Sequence, residues 1–249
     1  MSNPQRDSIG RASTLSATVD DPRAPAIAPD TRRRLESYLE RLYQASGVRN
    51  LTKVPRDQAW ARHIEESLSL VPLRPWRTGE LVADLGSGGG VPGIPLALAL
   101  PGLRFVLVER SEAKAAWLRT LVAELGLGGV TVLARDAREL GRGPDRIGAD
   151  VLVSRAAAPL PRLLPLVRPL LLPGGEALLI VGASAVASPQ LAQLCRRAQL
   201  GPPEIVVSQD IRVLRVRRPE PPALPPSTRL SPPGPDPRRM RPRDPSSTG

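Results

Sequence analysis

The stretch LVADLGSGGGVPGIP, Leu81 to Pro95, decides the fold. Leu81, Val82 and Ala83 read as the end of a buried strand. Asp84 then opens a loop carrying Gly86, Gly88, Gly89, Gly90 and Gly93. Each missing Cβ lets a ligand press against bare backbone or permits positive φ. The apolar run Gly93 to Leu100 continues as a helix from about Val91, turning its free N–H groups and positive dipole end toward the same space.

Two nucleotide cofactors suit such a loop. Gly88-x-Gly90-x-x-Gly93 matches the dinucleotide fingerprint, which keeps an NAD dehydrogenase open. Asp84 separates the two. A carboxylate at the strand tip repels a pyrophosphate but suits the cationic amino group and sulfonium of S-adenosyl-L-methionine, the cofactor favoured here. Arg104 to Val108 reads as the next strand and ends on Glu109, whose carboxylate can accept both hydroxyls of an adenosine ribose. That position suits either cofactor.

The 249 residues carry 35 basic and 24 acidic side chains, a net charge of +11, and only Lys53 and Lys114 are lysines. An acidic partner and a compositional bias toward arginine both account for this. Cys195 is the only cysteine, which excludes an intrachain disulfide and a cysteine metal cluster, and no metal site is expected. No window approaches the roughly 20 apolar residues of a membrane span. The N-terminus lacks the apolar core of a secretion signal, so the expected compartment is the cytoplasm.

Four regions follow from the pattern. Residues 1–28, polar and proline-rich, form a disordered leader. Residues 29–78 form an N-terminal helical cap: one helix with Leu35, Leu39, Leu42 and Tyr43 on a face, ended by Gly47, and a second from about Asp57 with Trp60, Ile64 and Leu68. Residues 79–218 form the core, with strands at 81–83, 104–108, 130–133, 150–154, 176–181, 204–207 and 211–216. Between them, Trp117, Leu118, Leu121 and Leu125 mark a helix that Ser111 can cap. Leu160 to Leu172 is another, which Pro165 is expected to kink, and Pro189 to Leu200 a third. Residues 219–249, rich in proline and including Arg238, Arg239, Arg241 and Arg243, form a disordered tail with a weak grip on polyanions. The expected fold is α/β, a seven-stranded Rossmann-like class I methyltransferase sheet with one antiparallel strand.

Four motifs carry a resemblance: Asn50-Leu51-Thr52, Arg62-His63-Ile64-Glu65-Glu66-Ser67, Asp84 to Pro95, and Ser154-Arg155-Ala156. In this order and spacing the chain resembles the bacterial glucose-inhibited-division B proteins, 16S ribosomal RNA guanine N7 methyltransferases, over roughly residues 33 to 217. The resemblance implies S-adenosyl-L-methionine contacts at Gly86 and Val91, at Ala137 and Arg138 after the third strand, and at Arg155. It implies 16S rRNA or the small ribosomal subunit as partner, for a monomer. The chain departs from the family pattern at Glu66, at Arg138 and at Val181-Gly182, where aspartate, glutamate and lysine-glycine are usual.

Guanine N7 has a lone pair and no proton, so methylation there needs no general base. Catalysis is then placement, with the acceptor purine held near Ser154 and Arg155. Arg155 is the first candidate beyond the loop, with a structural salt bridge as its alternative role. His63, the single histidine, is either a packing residue or a participant. Asp136 stands where methyltransferases contact adenine, or is a solvated loop acid. Trp60 and Trp117 fall at core spacing. A small-molecule methyltransferase and a non-catalytic RNA-binding relative remain alternatives.

Overall fold

The computed structural model describes residues 17–18, 27–143, 146–155, 157–208 and 210–221. Most of the expected leader and tail, the four tail arginines included, lies outside them. The strands are β1 (Ala17–Thr18), β2 (Leu81–Leu85), β3 (Arg104–Val108), β4 (Val130–Leu133), β5 (Ala149–Arg155), β6 (Leu171–Val181), β7 (Glu204–Ser208) and β8 (Ile211–Arg217). The helices are α1 (Pro29–Arg49), α2 (Glu66–Leu68), α3 (Gly93–Ala99), α4 (Glu112–Glu124), α5 (Leu160–Leu170), α6 (Ala183–Val186) and α7 (Leu191–Arg197).

The eight strands form one sheet in the order β1-β7-β8-β6-β5-β2-β3-β4. β8 is antiparallel to both neighbours, and every other pairing is parallel. The seven expected strands are all present. Ala17–Thr18, expected to be unstructured, instead extends the sheet as β1 beside β7, Ala17 opposite Val206.

The central strands are apolar on both faces, as a parallel sheet covered by helices requires. Alternation then sorts them. Val82, Phe105, Leu107, Val151, Val153 and Leu178 join Leu35, Leu42, Ile94 and Leu118 of the helices on one face. Ala83, Leu85, Leu152, Leu179 and Leu214 join Leu163, Val167, Leu191 and Cys195 on the other.

Four boundaries differ from expectation, each for a local reason. α1 runs through Gly47 and stops at Asn50, which adopts φ 49° while its N–H donates to the Ser46 carbonyl; a short amide side chain tolerates that left-handed cap. The expected second helix is a composite, with a 3₁₀ turn Arg56–Gln58, a π-helical segment Trp60–Glu65 and then α2. α5 continues through Pro165 and Pro169. Pro161, Pro165 and Pro169 are four residues apart, so they share one stripe, and the first two are exposed, where freed carbonyls meet water. β6 begins at Leu171, five residues early, because Leu171 pairs with Ala149 across an irregularity before Val151.

The cap is fastened to the sheet by an ionic knot. Arg74 lies 2.8 Å from Glu80 and 3.0 Å from Glu176, and Glu176 lies 2.6 Å from Arg215, with all four side chains largely buried. Removing one member strands the others away from water. Glu176→Leu should therefore lower the unfolding free energy by about 3 kcal/mol, measured by urea titration against wild type.

Candidate functional site

Parallel strands deliver their following loops to one edge, and the chemistry-bearing residues collect at the carboxyl ends of β2, β3, β4 and β5. After β2 the chain doubles back. The N–H groups of Gly86 and Ser87 donate to the Val108 carbonyl at 2.9 and 3.1 Å, and Gly86, Gly88 and Gly90 take φ of 74°, 53° and 90°. A Cβ on Gly86 would stand 2.6 Å from the Ala157 Cβ; one on Gly93 would stand 2.5 Å from Leu107 and 2.7 Å from the Asp84 carboxylate. At Gly88 it would meet nothing closer than 3.8 Å. Much of the bareness of this loop thus serves its own packing, and Gly88 is where it stays open.

Asp84 is fully buried. Its Oδ2 accepts the Gly93 N–H at 3.1 Å, and its Oδ1 is buried without a partner. Burial pushes its carboxyl up to about 7 against the pull of the Gly93 N–H. The open contact with a cofactor cation expected at Asp84 is therefore corrected. The carboxyl sits behind the loop and braces the first turn of α3, which begins at Gly93 rather than near Val91. Val91 is itself buried. The orphaned Oδ1 is a buried acceptor with no donor among the described residues.

Glu109 also works on the backbone first. Its Oε2 accepts from Gly88 N–H at 2.9 Å and its Oε1 from Ser111 N–H at 2.8 Å, clamping the loop to the start of α4. Each carboxylate oxygen has a second lone pair, so room for two ribose hydroxyls remains in its bonding capacity. After β4, Asp136 accepts from the Arg138 backbone N–H and from its Nε, both at 2.9 Å, and from its Nη2 at 2.6 Å. That guanidinium holds Asp136 well below the usual carboxylate range. Ala137 lies between them, half-buried.

Ser154 and Arg155 end β5. The Ser154 hydroxyl donates to the Leu85 carbonyl at 2.8 Å and is buried, so it fixes the spacing of β5 and β2 rather than facing a substrate. The Arg155 guanidinium reaches the cap instead of lying free in the crevice. It donates to the Arg62 carbonyl and, at 3.0 Å, to His63 Nδ1, and it stands 3.4 Å from Glu66, which also pairs with Arg62. A guanidinium only donates, so Nδ1 is bare and the His63 proton is on Nε2, pointing at Thr52 Oγ1 2.9 Å away. Burial, with the charges of Arg155 and Arg62, holds His63 down at about 4, and it is neutral. The expected roles of Ser154, Arg155 and His63 at the reacting base are thus revised: Asn50-Leu51-Thr52, Arg62 to Ser67 and Ser154-Arg155 meet as one joint between cap and core. Ala156 lies outside the described residues.

With this geometry in place, the comparisons with known proteins decide the family. The profile of rRNA small subunit methyltransferase G (GidB) matches residues 31–200. The chain belongs to that family. It is 42% identical over 178 residues to the ribosomal RNA small subunit methyltransferase G of Sorangium cellulosum, covering 70% of this chain and 71% of the relative. Identity with the Rhodopseudomonas palustris protein of the same name is 35% over 206 residues, covering 81% and 83%. Among solved structures, a putative sarcosine dimethylglycine methyltransferase from Galdieria sulphuraria superposes with TM-score 0.50 at 12% identity, covering 69% of this chain and 91% of that one, which supports the fold alone. Membership removes the dehydrogenase alternative and makes S-adenosyl-L-methionine the cofactor.

Two contributors escaped sequence reasoning. Tyr38 is fully buried and its hydroxyl donates to the Gly89 carbonyl at 2.8 Å, joining α1 to the loop; its place between Leu35 and Leu42 on the helical face was the available signal. Ala157, over Gly86, carried none. Among the described residues no cluster of candidate metal ligands occurs, and no helix is long and apolar enough to cross a membrane.

His63 and Asp84 give opposite pH signatures. His63, lowered from 6.5 to about 4, lets the unfolded chain bind the extra proton between those values, so its contribution to stability is lost as pH falls. Asp84, raised from 3.8 to about 7, lets the folded chain hold the extra proton, so its contribution is lost as pH rises. The two offset from about 4 to 6.5. Relative to wild type, the stability of His63→Gln should fall with rising pH in that window and that of Asp84→Asn should rise, by up to about 1.4 kcal/mol per pH unit. Denaturant titrations at half-unit pH intervals check both slopes.

Proposed function

We propose that this chain, a monomer in the cytoplasm, transfers the methyl group of S-adenosyl-L-methionine to N7 of a guanine in 16S ribosomal RNA. Family membership supplies the reaction class. The observation within the molecule that carries the reading is the convergence on one sheet edge of the open backbone at Gly88, the loop clamp Glu109, the Asp136–Arg138 pair and the Arg155 joint.

The residues present fit the cofactor. The backbone of Gly86, Gly88, Gly90 and Val91 would take the methionyl part, with the buried, orphaned Asp84 oxygen favouring its positive charge from behind. The free lone pairs of Glu109 would take the ribose hydroxyls, and Ala137 with Arg138 would border the adenine. Arg155, bonded to Arg62, His63 and Glu66, would act through the cap, fixing the end of β5 beside the cofactor. When bound, the cofactor supplies a methyl group on a sulfonium, a leaving group that departs neutral.

The chain's own work is alignment. Guanine N7 offers a lone pair and carries no proton, so the chain's residues would have no proton to move and would serve to seat the base against the bound methyl donor. His63, the single histidine, is neutral and bonded through both ring nitrogens, which suits a reaction that needs no general base. Holding N7, carbon and sulfur in line captures the entropic part of the barrier. Bringing the base out of an RNA fold costs a few kcal/mol, offset by arginine–phosphate contacts.

Mass mapping of 16S RNA from cells with and without the gene should show one N7-methylguanosine lost in the deletion and restored by the wild-type chain; identical maps would refute the reading. Glu109→Ala should weaken S-adenosyl-L-methionine binding by at least about tenfold, roughly the 1.4 kcal/mol of one charge-assisted hydrogen bond, as read by titration calorimetry with circular dichroism confirming the fold.

A further inference from the structure

Away from the methyl-transfer edge, five arginines wall one cleft. Arg142 and Arg146 follow β4, Arg168 closes α5, Arg197 closes α7 and Arg218 follows β8. The cleft encloses about 360 Å³ and its remaining walls are glycine, proline, alanine and glutamine. These positions lead into the amino ends of β5, β6 and β7. The cleft is therefore at the opposite edge of the sheet from the glycine loop, about 20 Å away by the length of a seven-residue strand.

Like charges gathered this closely need a counter-charge, and the described residues do not provide it. No described carboxylate lies within 4 Å of any of the five guanidinium groups, whereas Arg74, Arg138, Arg155 and Arg215 all have one. Backbone carbonyls hold the cluster in place instead. Arg146 donates to Pro169 at 3.2 Å and Leu171 at 2.9 Å, and Arg218 to Arg168 at 3.2 Å and Leu171 at 2.6 Å. Two cations thus share the Leu171 carbonyl beyond the negative end of α5. Burial, and then the charges of Arg146 and Arg168, lower the Arg218 guanidinium from its usual value. Among the described residues three of the five Arg146 N–H groups have no acceptor, and Arg142 and Arg197 stand exposed at the rim.

We propose that this cleft grips the sugar–phosphate backbone of the substrate RNA, as a second anchor at the sheet edge remote from methyl transfer. The proposal rests on the reading that RNA is the substrate. The lining chemistry selects the ligand. Five positive charges exceed what one phosphate neutralises, which favours a chain of them. No aromatic side chain lines the cleft to stack a base, so it holds backbone without reading sequence. A duplex or folded RNA long enough to cross the sheet engages both edges, and a short hairpin carrying only the target guanine engages one.

Arg142→Gln/Arg197→Gln in the full chain tests this, because the two rim side chains hold up neither the fold nor the glycine loop. Filter binding of full-length 16S transcript and of a short target hairpin is measured across a salt series. Losing two phosphate contacts should weaken transcript binding about tenfold and flatten the slope of log K against log salt by about 1.5. Hairpin binding and S-adenosyl-L-methionine affinity by calorimetry should be unchanged. Unchanged transcript affinity and slope would overturn the anchor while leaving the methyltransferase reading intact. A wild-type chain that binds no transcript sinks the RNA reading itself, and the anchor with it. A cleft that takes inorganic phosphate, with the variant's transcript slope still unaltered, is a small-anion site, and that result also overturns the proposal.

Discussion

A glycine loop has no side chains with which to hold its own shape, and the architecture depends on how two buried carboxylates supply that hold. Asp84 takes the Gly93 N–H from behind and Glu109 takes the Gly88 N–H from in front. Each removes a donor that water or a ligand would otherwise satisfy, and each costs desolvation, visible in the rise of Asp84 to about 7. The loop is preorganised as a result. Gly88, half-buried and held through its own N–H, keeps open space where its Cβ would stand.

The cap completes this preorganisation from the other side. Tyr38 fixes the Gly89 carbonyl, and the relay from Thr52 through His63 to Arg155 ties the end of β5 to the helical run 56–68. The π-helical stretch Trp60–Glu65 matters here. Its wider turn places the Arg62 carbonyl, the His63 ring and the Glu66 carboxylate around one guanidinium, a set that a regular α-helix over the same residues presents differently. A neutral His63 fits this joint, since a third positive charge beside Arg155 and Arg62 is costly.

Much of this was legible in the residues. Short apolar runs separated by helical stretches located all seven main strands, and the composition of residues 81–95 located the loop. Roles were harder to read than positions. Asp84 and Glu109 are acids at strand tips, and sequence alone makes them ligands; only packing distance shows that backbone N–H groups reach them first. Ser154 and Arg155 likewise look poised toward a substrate until the Leu85 carbonyl and the cap appear within bonding range. The prolines of α5 misled because a breaker is costly only where its freed carbonyl is kept from water, and exposure is a tertiary property. β1 was invisible, since two residues carry no periodicity.

The placement of β8 between β6 and β7 bears on how the molecule comes into being. During synthesis β6 is made long before its partner, and the hydrogen-bonding edge at Ala177 to Val181 waits open until residues 211–217 have emerged. Nascent chains at that point carry a half-finished, sticky flank while their cofactor loop is already complete. Stalling or truncation within the last strands would therefore yield a species primed to aggregate or to recruit chaperones, rather than a trimmed but working protein.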